Sequence, residues 1–92
     1  DAQTALRIGL VQRLVSRDHL YIEVEELARL LMRRAPLALR YIKTAIREGF
    51  DLPLAEALAL EARLAALALA SADAREGLAA LAVDREPQFT GA

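Results

Sequence analysis

The chain has 92 residues, 12 Lys and Arg against 13 Asp and Glu, a net charge of −1 and no cysteine. That length allows one small domain or part of one. The near balance of charge gives no bias toward nucleic acid or an anionic membrane, and the lack of thiols excludes a disulfide framework and a thiolate metal site.

In chain order, Ala2 to Ile8 reads as a short helix with Asp1 as N-cap and Gly9 as the left-handed residue that ends it. Leu10 to Val15 alternates weakly and reads as an extended piece, the one candidate strand. Ser16 to Asp18 offer caps for a helix from His19 to Arg34. Its Leu20, Val24, Leu27 and Leu31 make a core stripe, with acids early and arginines late, as the helix dipole favours. Pro36 stops that helix and opens the next, to Glu48, with Leu39, Ile42 and Ile46 expected inward and Gly49 as the stop. Asp51 is the expected cap and Pro53 a first-turn residue for the helix of Leu54 to Ala70. Asp73 and Glu76 have capping-box spacing for a last helix, Ala74 to Val83. Asp84 to Ala92 reads as an irregular tail, with Phe89 as its apolar anchor.

The Leu54 to Ala70 stretch organises the chain. It holds six Leu and eight Ala against three charged residues. With no β-branched residue, it is a strong helix former. Leu60, Leu64 and Leu67 form one stripe; Leu54, Leu58 and Leu69 form a second on roughly the opposite side. A helix apolar on two sides needs cover on two sides, so these residues are expected to serve core and oligomer packing. The stretch is too short, and charged at its centre, for a membrane span. The expected class is all-α: about five helices in a single helical segment, with Asp1 to Val15 as a short helix plus extended piece and Ser16 to Ala92 as helical bundle and tail. The polar start gives no sign of a signal peptide, and the cysteine-free composition fits a cytoplasmic setting. The first residue is Asp rather than Met, as expected of a chain that begins inside something longer or has been processed.

Little here carries chemistry. His19, the only histidine, lacks companion ligands and reads as an exposed first-turn residue. Glu25, Glu26, Glu56 and Glu61 read as solvated or salt-bridged. The serines sit in no nucleophile elbow, and the four glycines are isolated. Arg40, Lys43 and Arg47 share one helix face within about 60° and form a basic-face candidate for a phosphate-bearing ligand, set against the plainer reading of a solvated face. No metal site is expected.

The order of short motifs does carry a resemblance. It runs through Asp1, Ala2, Ala5, Gly9, Leu10 and Val11, then Leu27 and Ala28, Pro36 and Ala38, Lys43 and Glu61. It closes on Ser71, Asp73, Glu76 and Gly77, then Arg85, Pro87, Phe89 and Gly91. In order and spacing this resembles the C-terminal part of the crotonase (enoyl-CoA hydratase/isomerase) superfamily. The resemblance implies a core of repeated ββα units upstream of Asp1. That core would hold the CoA crease, an oxyanion hole of backbone N–H groups and, in hydratases, the catalytic glutamates. It implies that this chain is the helical C-terminal segment, with no catalytic residue and no cofactor of its own, CoA thioester being the parent's substrate. The parent would add water to a 2-enoyl-CoA in metabolism like fatty-acid β-oxidation. The partners implied are the crotonase core and identical subunits in a trimer-based homo-oligomer, with no nucleic acid and no membrane. Family position also makes Leu81, Asp84 and Arg85 CoA-proximal. Leu81 keeps an apolar wall where the family often has Phe, and Asp84 reverses the charge where it often has Lys. The alternative reading of the whole chain is a free-standing helical protein–protein interaction module without catalysis.

Overall fold

The computed structural model describes residues 1–92, and every regular element is helical. The order is α1 (Ala2–Arg7), a 3-10 turn (Arg17–His19), α2 (Leu20–Met32), α3 (Pro36–Gly49), α4 (Leu54–Leu69) and α5 (Ala72–Ala82). Five α-helices and no strand match the expected class. Leu10 to Val15 is irregular rather than a strand. The chain forms two compact units, residues 1–31 and 32–92.

In the first unit, the Asp1 carboxylate caps α1 by accepting from the Thr4 N–H at 2.7 Å. At its other end, Gly9 N–H donates to Leu6 C=O and Leu10 N–H to Ala5 C=O. This is a complete Schellman closure, with Gly9 at φ +76°. Arg13 joins Glu23 at 3.3 Å, and Arg29 joins Glu25 across one helical turn at 2.6 Å. No residue of α2 is buried. Leu20, Val24, Leu27 and Leu31 do share a face, but each is exposed. The expected core stripe is a surface stripe, because nothing in this unit is large enough to cover it.

The second unit packs α3 on α4 and α4 on α5. Its buried apolar residues are Leu60, Leu64 and Ala80. The expected inward set of α3 needs correction: Leu39 is half-buried, whereas Ile42 and Ile46 are exposed. The shielded face of α3 instead carries Leu37, Ala38, Tyr41, Ala45 and Gly49. Small residues set this choice. A Cβ placed on Gly49 would lie 3.6 Å from the Ala57 Cβ, so the two helices approach across Gly49 and Ala57. Gly49 is thus a packing residue with ordinary φ, rather than a left-handed stop, and Phe50 follows it in right-handed conformation.

Two caps also differ from expectation. Pro53, with no side-chain cap, precedes α4 in place of Asp51. Ser71 caps α5: its Oγ accepts from the Ala74 N–H at 3.0 Å and donates to the Ala68 C=O at 2.7 Å. Asp73 and Glu76 therefore do not form a capping box. They are free for other partners.

Candidate functional site

Those partners lie in the tail. Asp73 sits in the first turn of α5 with 2% of its surface exposed. Its Oδ1 accepts from the Thr90 N–H at 2.7 Å and from the Thr90 hydroxyl at 3.3 Å, and its Oδ2 accepts from the Gly91 N–H at 2.9 Å. The Asp73 N–H in turn donates to the Ala92 C=O at 3.0 Å. A buried carboxylate is costly unless fully hydrogen-bonded, and this one is bonded through both oxygens.

One turn along α5, Glu76 holds the tail at a second point. Arg85 Nη1 and Nη2 donate to its Oε1 and Oε2 at 2.6 and 2.9 Å, a bidentate pair. The Gln88 N–H donates to Oε1 at 2.8 Å. The Arg85 hydrogen bond, then the Gln88 amide, lower the Glu76 carboxyl from its ordinary 4.5 to about 2. Glu76 likewise raises Arg85. The Phe89 ring lies over Gly77, where an added Cβ would meet ring carbons at 3.5 and 3.8 Å. The expected anchoring by Phe89 is present, together with two polar clasps that spacing alone did not show.

The backbone at the end of α5 aims Arg85. Asp84 N–H donates to Leu81 C=O and Arg85 N–H to Ala80 C=O, a second Schellman closure. Its left-handed residue is Asp84, at φ +52°, the one non-glycine residue of the chain with positive φ. Of the three positions assigned to CoA by family pattern, Leu81 is exposed, Asp84 forms this turn and Arg85 is engaged by Glu76.

The remaining candidates are separate from the clasp. Arg40, Lys43 and Arg47 lie together along α3, exposed, around the half-buried Thr44. On α4, Leu60 and Leu64 are buried, Leu67 is 50% exposed and Leu54, Leu58 and Leu69 are exposed. His19 Nδ1 lies 2.7 Å from Ser16 Oγ in a surface turn. No three His, Cys, Asp or Glu side chains come together as a metal cluster, and no helix is long and apolar enough to cross a membrane.

This arrangement, helices closed by a tail clasped onto the last of them, defines the chain as a helical C-terminal segment of the crotonase fold. It superposes with TM-score 0.92 on a putative enoyl-CoA hydratase/isomerase from Mycobacterium abscessus at 42% identity, covering 99% of this chain and 37% of that one. For an enoyl-CoA hydratase/isomerase from Mycobacterium paratuberculosis the TM-score is 0.95 at 34% identity, with 100% and 36% covered. A probable enoyl-CoA hydratase of Mycobacterium bovis is 40% identical over 90 residues, 98% of this chain and 35% of its own length. The family model for enoyl-CoA hydratase/isomerase matches residues 1–92, and the chain belongs to that family. It spans about a third of the length of the relatives it matches.

Proposed function

We propose that this chain is the oligomerising, acyl-CoA-pocket-completing part of an enoyl-CoA hydratase-type enzyme. The observation that carries the reading is the surplus apolar stripe of α4. Leu54 and Leu69 are 75% and 73% exposed, with Leu58 beside them, on a helix whose other face is already covered. Burying a leucine stabilises by about 1.5–3 kcal/mol, so such a stripe favours association with further protein. On this reading the surface is met by a ββα core or an identical subunit. The catalytic carboxylates and oxyanion donors are supplied outside these 92 residues. At the end of α5 the exposed Leu81 keeps an apolar wall for the ligand, while Arg85 is held by Glu76 and Asp84 carries the charge that an anionic ligand disfavours.

The test is to follow hydration of crotonyl-CoA by the natural full-length protein while measuring its mass in solution by light scattering. Hydratase activity in a homo-oligomer is expected. Association without turnover of any 2-enoyl-CoA favours the interaction-module reading. A monomer at high concentration overturns the assembly role.

A further inference from the structure

We infer that the outward face of α3 is an anion site for a ligand with linked phosphate groups. Arg40, Lys43 and Arg47 point from successive turns around Thr44, with Glu48 at one edge, and bound a concave surface of about 540 Å³. All three cations are exposed. The ion pairs of the chain are Arg13–Glu23, Arg29–Glu25 and Arg85–Glu76, so none of the three is neutralised. Most Lys and Arg side chains of the chain lie outside those pairs; what singles these three out is that they share one helix face. One carboxylate, Glu48, shares the face and leaves it with an excess of two positive charges. The helix dipole favours Arg47 in the last turn but gives no reason for Arg40 near the other end. Arg40 is also restrained: its guanidinium lies 5.5 Å from the centroid of the Tyr41 ring.

The spacing selects the ligand. Residues 40 and 47 are separated by about 10 Å of helix rise. One phosphate group engages one or two of these cations, whereas linked phosphates reach all three, with the Thr44 hydroxyl as a neutral donor between them. Arginine suits the paired oxygens of such groups and lysine supplies a compact charge. The lining residues are charged or hydroxylic, so the phosphates are the part this face recognises. The inference does not depend on the hydratase reading.

Calorimetric titration of the natural full-length protein with tripolyphosphate, pyrophosphate and orthophosphate, at low and at physiological salt, tests it. Tripolyphosphate should bind tightest, with affinity falling as salt rises. Lys43→Gln and Arg47→Gln should each weaken it by about tenfold. Arg40→Gln should do the same, with helicity unchanged by circular dichroism. Equal affinity of the wild type and the triple variant, or no binding at low salt, overturns the site.

Discussion

The Asp73 carboxylate reaches across 18 residues of sequence to the Gly91 N–H, 2.9 Å from its Oδ2. Its other oxygen takes the Thr90 N–H. One buried side chain thus replaces the backbone partners that an irregular tail otherwise lacks. Asp73→Ala leaves both amides without their acceptor, at a cost of about 2–3 kcal/mol. Asp73→Asn keeps one acceptor oxygen and should lose less. Urea denaturation measures the stability change. Trypsin cleavage after Arg85 should speed up in the order wild type, Asp73→Asn, Asp73→Ala, and equal cleavage of all three would show that the tail is held by something else.

The Glu76 clasp makes a prediction with a definite sign in pH. A carboxyl lowered from 4.5 to about 2 favours the folded state while it is ionised. Its contribution is present above pH 4.5 and is lost as pH falls toward 2. The side chain keeps 26% exposure, so solvent and salt screen the pair and the effect is modest. The melting temperatures of the wild type and Glu76→Gln should differ at pH 7 and converge near pH 2. Hydrogen exchange at the Gln88 amide should follow the same course, since its acceptor is Glu76 Oε1. A difference that stays constant down to pH 2 would assign it to shape rather than charge.

These clasps join residues that no local sequence pattern links. Helix number, the all-α class, Pro36 at a helix start and Gly9 in the left-handed region follow from local rules, and local rules read well. Asp73 and Glu76 have the spacing of a capping box, but that spacing fits any pair one turn apart, and Ser71 took the cap. Their partners lie 9 to 18 residues away, beyond any local pattern. The co-occurrence of the Ser71 to Gly77 and Arg85 to Gly91 motifs was the visible trace of that pairing. The α3 face failed for a different reason. The size of Ile42 and Ile46 points to an inward face, yet the helices meet at Gly49 and Ala57, and closest approach is set by the smallest side chains. On α4, Leu67 is half exposed, so the expected stripe is covered at Leu60 and Leu64 only. Arg40, Lys43 and Arg47 were legible as a face because periodicity alone places them.

Asp84 and Gly9 perform one backbone task with different residues. Both occupy the left-handed position of a Schellman closure, at φ +52° and +76°. Glycine enters that region freely, whereas an L side chain costs about 1–2 kcal/mol, somewhat less for Asp. Asp84→Gly should therefore stabilise the chain by about 0.5–1 kcal/mol, and Gly9→Ala should destabilise it by about 1 kcal/mol. Nothing lies within 4 Å of a Cβ built at Gly9, so the second cost is conformational and not steric. Thermal melts of the two variants decide the point. Destabilisation by Asp84→Gly would mean that the carboxylate has a partner worth more than the strain.

The two sides of α4 should separate stability from assembly. Leu64 is buried between neighbouring helices, and Leu64→Ala leaves a cavity at a cost of about 2–4 kcal/mol. Leu69 is exposed within the chain, and Leu69→Ala should change the stability of an isolated chain by less than about 0.5 kcal/mol. If the chain assembles as proposed, Leu69 is the residue that meets another surface. Leu69→Glu then places a charge in an apolar contact and should shift the oligomer toward smaller species, while helicity by circular dichroism is preserved. Sedimentation velocity at several concentrations reads the shift. If Leu64→Ala and Leu69→Glu lower stability alike and leave the oligomer intact, the second stripe belongs to the chain's own core. If Leu69→Glu dissociates the protein without unfolding it, the stripe is the contact that holds the assembly together.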